Sequence, residues 1–135
     1  QAPAQMSGGV GSWRYMAPEV VRYEQYTDRV DIFSFALILW FMCTGRQPFV
    51  AEFGTDAELV LKEYLKGLEP RPSAASMRCP SALRDLTQEC WHVSPSSRPQ
   101  AQECTQRLAE MCAGDDATWR TWSLSGLTSV VRQIS

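Results

Sequence analysis

Residues 11–19 read Gly-Ser-Trp-Arg-Tyr-Met-Ala-Pro-Glu, and residues 90–99 read Cys-Trp-His-Val-Ser-Pro-Ser-Ser-Arg-Pro. The first string joins a hydroxyl residue, aromatic residues and an Ala-Pro-Glu triplet, and it is too long to arise readily by chance. Pro18 marks the start of a short helical stretch through Glu24, because proline suits a first helical turn. Arg98 stands next to last in the second string, between Pro95 and Pro99. On composition alone, Glu19 and Arg98 are two solvated surface charges.

Outward from these strings the chain reads as helices joined by long ordered loops. Residues 1–10 have no hydrophobic period and read as loop. Thr27 or Asp28 is positioned to cap a long helix that ends near Thr44, with Gly45 just past its end. The apolar run Phe35–Cys43 inside it is nine residues long. A membrane span needs about 20, so the run predicts a helix buried on all sides, one that every other helix touches. Thr55 and Glu58 have the spacing of a capping box before a helix that stops at Gly67. Ser81 is placed to cap a helix whose Leu83, Leu86 and Cys90 share a face. Pro99 suits the first turn of a last helix, whose face is Ala101, Cys104, Leu108 and Met111. No convincing strand or repeat is present, so the fold class is mainly α. Beyond Gly114, Trp119, Trp122, Leu124, Leu127, Val131 and Ile134 fall at helical spacing. That tail, residues 113–135, is amphipathic, packed on the rest, or disordered.

Composition excludes several classes. A chain of 135 residues is one domain or part of one. A hydrophobic fraction of 44% argues against wholesale disorder. A net charge of -2 argues against capture of nucleic acid or of an anionic membrane. Among the five cysteines no pair has CxxC spacing. Cys90 and His92 read as a core thiol and an exposed histidine rather than as zinc ligands. The odd cysteine count suits a reducing, intracellular (cytoplasmic) compartment.

The motifs, taken in order, resemble a protein kinase catalytic domain. The string at 11–19 is similar to the end of an activation segment, which closes on Ala-Pro-Glu. Asp31 follows at the expected distance, opening an apolar helix. A Thr-Gly-x-x-Pro-Phe turn comes next, at Thr44–Phe49, and then a Gly-x-x-x-Arg-Pro segment, at Gly67–Pro72. Cys90, Trp91, Pro95, Arg98 and Pro99 complete the pattern. The Cys-Trp signature and the aromatic-rich first string look most like the tyrosine-kinase-like group of serine/threonine kinases. Gly11-Ser12 stands where true tyrosine kinases usually carry a proline.

The resemblance implies a protein-kinase-like large lobe over residues 1–112, partial, without the N-terminal lobe or the catalytic loop. It implies that Glu19 and Arg98 form a buried ion pair. It implies that Asp31 accepts hydrogen bonds from the catalytic loop, although first-turn placement near the helix dipole would also favour a carboxylate there. Ser12 aligns with the hydroxyl residue that bridges catalytic groups and, with Trp13, positions the substrate. Arg14 and Tyr15 are expected to line the same surface. Ser7 is the candidate activating phosphosite. The activity implied for an intact parent is transfer of phosphate from ATP and magnesium to serine or threonine of a protein substrate. The chain carries no GxGxxG loop, VAIK lysine, HRD…N loop or DFG triplet. It therefore reads as a fragment, inactive alone, holding no catalytic residue, metal or nucleotide, and prone to self-association. Ala36, where the family usually has glycine, and Gln100, where it usually has a capping Ser or Thr, are departures. They keep open the alternative of a non-catalytic, pseudokinase-type interaction module.

Overall fold

The computed structural model describes residues 13–114. Ser7, Ser12 and the tail beyond Gly114 lie outside the described residues. Six α-helices are described: α1 (Pro18–Val21), α2 (Arg29–Thr44), α3 (Val50–Phe53), α4 (Glu58–Leu65), α5 (Ser81–Cys90) and α6 (Ala101–Ala113). Single 3-10 turns occur at Trp13–Tyr15, Ala74–Ser76 and Pro95–Ser97. No strand occurs among the described residues.

α2 is the central element. It buries Ile32, Phe33, Ala36, Leu37, Leu39, Trp40 and Cys43, and it packs mainly against α5 and the two 3-10 turns at 13–15 and 95–97. It is not buried on all sides. Ile38 is 46% exposed and Met42 38% exposed, and these two share an edge with Asp31 at helical spacing. Nor does α2 take the main contacts of every helix. α4 packs chiefly on α1 and the 13–15 turn, and α6 packs on α5.

Two helix ends follow from glycine. Gly45 adopts φ 70° after α2 and donates its N–H to the Phe41 carbonyl at 2.8 Å. Gly67 adopts φ 87°, and its N–H reaches Tyr64 O while Leu68 N–H reaches Glu63 O, each at 3.0 Å. These bonds satisfy carbonyls that the end of α4 leaves open.

The helix starts differ from the sequence expectations. Before α2, Asp28 holds the N-cap position without a side-chain bond, while Thr27 Oγ1 accepts the Arg29 N–H at 3.2 Å. The capping box of Thr55 and Glu58 does not form. α4 begins at Glu58, and Asp56 Oδ1 accepts the Glu58 N–H at 3.0 Å. Ser81 is the first residue of α5 rather than its cap, because the Pro80 carbonyl already accepts from Leu83 and Arg84. Pro99 lies outside α6, which opens at Ala101 with Gln100 before it.

Gln100 provides no side-chain bond to the open N–H groups of α6. Glu103 stands three residues on, in the first turn. Gln100→Ser would complete a capping box with Glu103. It is expected to raise unfolding stability in urea by about 1 kcal/mol; an unchanged or lower midpoint would contradict this.

Candidate functional site

Glu19 sits in the single turn of α1, and Arg98 follows the 3-10 turn Pro95–Ser97 in extended backbone. Arg98 Nη1 donates to Glu19 Oε2 at 2.7 Å and Arg98 Nη2 to Glu19 Oε1 at 3.1 Å. The two side chains are 0% and 5% exposed. The guanidinium is satisfied further. Its Nε donates to the His92 carbonyl at 2.9 Å and its Nη1 to the Arg29 carbonyl at 3.1 Å. Arg29 returns the exchange by donating from Nη1 to the Arg98 carbonyl.

Phe33 of α2 forms the floor under this pair. The guanidinium carbons of Arg98 and Arg71 lie 5.1 and 4.8 Å from its ring centroid, within cation–π range. Arg71 is held by its own bonds, donating from Nε to the Trp91 carbonyl and from Nη2 to Glu69 Oε1, both at 2.8 Å. Glu69 Oε2 takes a bond from Arg22 Nη1 at 2.6 Å, and Arg22 also meets Glu24. A chain of alternating charges therefore runs from Glu24 to Arg71 and meets the Glu19–Arg98 pair across one phenyl ring. Sequence reasoning missed this chain. Arg71 was visible in the Gly-x-x-x-Arg-Pro motif, but Glu69 and Arg22 carry no spacing signal that joins them.

Arg14 does not line a surface. It is 4% exposed, and donates from Nη1 to the Pro48 carbonyl at 2.9 Å and from Nη2 to the Thr55 carbonyl at 3.1 Å. Both acceptors flank α3, and between them Phe49 is held at φ 70° with 1% exposure. A bulky residue enters the left-handed region only where its surroundings hold it there. Trp13 and Tyr15 are half-buried beside the core. The Tyr15 carbonyl accepts the Ser34 hydroxyl at 2.7 Å. Burial raises the Tyr15 phenol above its ordinary range, and the Arg14 charge opposes the shift.

Asp31 is exposed in the first turn of α2. It joins neither Glu19 nor Arg98. Cys90 is fully buried, while His92 is exposed and its Nδ1 accepts the Ser94 N–H at 3.0 Å. Among the described residues no group of three or more His, Cys, Asp or Glu side chains could hold a metal ion. A shallow cavity of about 510 Å³ opens beside Trp40, Arg46, Val50, Thr55 and Ser73. No glycine lines it. No helix among the described residues is long and apolar enough to cross a membrane.

Burial, not distance, decides what the Glu19–Arg98 pair contributes. Glu89 and Arg107 bridge α5 and α6 with bonds as short, 2.6 and 2.9 Å, but their side chains are 49% and 27% exposed. The Arg107 hydrogen bond holds the Glu89 carboxyl below its ordinary range against slight burial. Exposed pairs contribute ~0–1 kcal/mol. Breaking a buried pair by removing one partner costs ~3–5 kcal/mol, because the other charge stays behind. Glu19→Gln is therefore expected to lower unfolding stability by several kcal/mol, and Arg107→Gln by under about 1 kcal/mol. Urea denaturation checks the ranking, and equal losses would overturn it.

Residues 1–108 match the family model described as the protein kinase domain. The chain is 38% identical over 111 residues to serine/threonine-protein kinase 12 of Arabidopsis thaliana, covering 81% of this chain and 24% of that protein. It is 38% identical over 106 residues to serine/threonine-protein kinase VIK of the same plant, covering 78% and 23%. Over 92 residues it is 38% identical to the Arabidopsis serine/threonine/tyrosine-protein kinase HT1, covering 68% and 22%. The chain thus spans about a quarter of the length of these relatives. With that match over most of its length, and helices of the large lobe built around one buried carboxylate–arginine pair, this chain belongs to the protein kinase domain family.

Proposed function

We propose that the chain supplies the substrate-docking and structural part of the large lobe of a protein serine/threonine kinase. The whole protein would transfer the terminal phosphoryl group of ATP, with magnesium, to serine or threonine of a protein substrate. The observation that carries this reading is the doubly hydrogen-bonded, buried contact of Glu19 with Arg98. It fastens the segment Trp13–Val21 to the lower helices, so that a docked substrate would meet a fixed surface. In this reading residues 1–112 form the lobe and residues 113–135 a tail. Ser12 and Trp13 position the substrate, Ser7 is a phosphosite of the activating segment, and Asp31 anchors the catalytic loop from its exposed place on α2.

The chain alone is proposed to be catalytically silent. Phosphoryl transfer depends on positioning and electrostatics, and the sequence carries none of the groups that hold nucleotide, metal or attacking hydroxyl. The open edge of α2 at Ile38 and Met42 is proposed to pair with a second copy of the chain, since a net charge of -2 offers little repulsion.

Calorimetric titration of the purified chain with ATP and magnesium is expected to give no binding heat, and light scattering at tens of micromolar a mass above the monomer. The same titration of the whole protein is expected to give binding and transfer to a serine or threonine substrate. Nucleotide binding by the chain alone would contradict its proposed silence. A whole protein that binds substrate but transfers no phosphate would favour the interaction-module reading.

A further inference from the structure

The helix pair α5 and α6 is closed at one end and open at the other. At the closed end the Cys90 and Cys104 sulfurs meet at 3.7 Å, and Arg107 of α6 bridges to Glu89 of α5. At the open end, where α5 starts and α6 stops, Ala82, Asp85, Arg107, Glu110 and Met111 line a cleft of about 380 Å³. That lies near the lower end of the ~300–1,000 Å³ typical of ligand pockets. Ala82 and Met111 give it apolar lining, and the carbon stem of Arg107 adds to it. The charge of Arg107 is taken by Glu89 and Glu103, so Asp85 and Glu110 have no ion-pair partner among the described residues. An occupant that matches such a cleft carries large apolar side chains beside a cation.

α6 leads such a segment to the cleft. The helix ends at Ala113, and Gly114 follows in extended backbone at φ -70° and ψ 149°, its N–H donated to the Glu110 carbonyl at 3.2 Å. The sequence after it places Trp119 and Trp122 on either side of Arg120. Tryptophans three residues apart share one side of a helical turn. Reach permits the contact. Trp119 is five residues past Gly114, up to ~17 Å of extended chain. Met111 and Arg107 lie only ~4 and ~10 Å back along the helix. A segment tethered this closely has an effective concentration of order mM. It therefore meets its own cleft before that of another copy at micromolar concentration.

We propose that residues 115–127 fold back on the α5–α6 cleft of their own chain. Trp119 and Trp122 fill it, and Arg120 meets the Asp85 and Glu110 carboxylates. Asp115 and Asp116 fall in the reversal, where they stay in water. The tail thereby covers the open end of the last helix pair, whatever the whole protein catalyses.

Hydrogen–deuterium exchange of the full chain, read by mass spectrometry, tests this. Amides 117–127 are expected to exchange at least ~10-fold more slowly than in a synthetic peptide of residues 115–135, and to keep that protection when the chain is diluted. Ala82→Arg, at an exposed position, sets a cation against Arg120. It is expected to return amides 117–127 to the free-peptide rate while the amides of α2 stay protected. Arg120→Glu is expected to cut the protection severalfold, and adding Asp85→Arg to restore it. Should a cleft variant also lose α2 protection, and so fail to fold, Arg120→Glu decides, because it changes no residue of the helix pair. Free-peptide exchange in the parent chain, or protection that survives Ala82→Arg or Arg120→Glu in a folded chain, would overturn the proposal. Protection lost on dilution would place the tail on a second copy and overturn it equally.

Discussion

Two opposite charges, stripped of water and joined by two parallel hydrogen bonds, hold this structure in register. Taking a carboxylate and a guanidinium out of water costs several kcal/mol per ion, and their attraction offsets that only with near-ideal geometry and every remaining donor occupied. Glu19 and Arg98 come close to that standard. Both carboxylate oxygens are bonded, and the guanidinium spends further donors on the carbonyls of His92 and Arg29. The pair joins α1 to the turn before α6, two places distant in sequence. Its contribution is therefore the path of the chain more than a gain in stability.

The other polar contacts extend that constraint outward. Phe33 places two guanidiniums about its ring, so the central helix meets the charges through an apolar surface that tolerates them. Arg71, Glu69 and Arg22 carry the tie to the end of α4. Arg14 performs the matching task on the other side. It draws the carbonyls of Pro48 and Thr55 towards the Trp13–Tyr15 turn. The segment that precedes α1 is thereby fastened at both ends, by carbonyl contacts at Arg14 and by the carboxylate at Glu19. In the function proposed above, this is the region against which a protein substrate docks.

Much of the fold was legible because it rests on backbone rules. Gly45 and Gly67 take positive φ where their helices stop, and the apolar content of 29–44 marked the central helix. Helix starts were less legible. A shift of a single residue decides which group can reach an open N–H, so Asp56 replaced Thr55 and Pro80 displaced Ser81. The pairing of Glu19 with Arg98 has no local signal, and only the ordered motifs around both residues pointed to it. Arg14 and the charged chain through Glu69 were illegible for a physical reason. A buried arginine and an exposed one have the same sequence neighbours, and the carbonyls that accept from Arg14 lie 34 and 41 residues away.

The central claim is that Glu19 and Arg98 act as one buried unit. A double-mutant cycle in urea, comparing Glu19→Gln, Arg98→Met and the two combined with the parent chain, measures this directly. The account predicts that the combined variant loses far less stability than the two single losses added, with a coupling of at least ~2 kcal/mol. Single losses that add to within ~0.5 kcal/mol would mean two independent residues, and would contradict it.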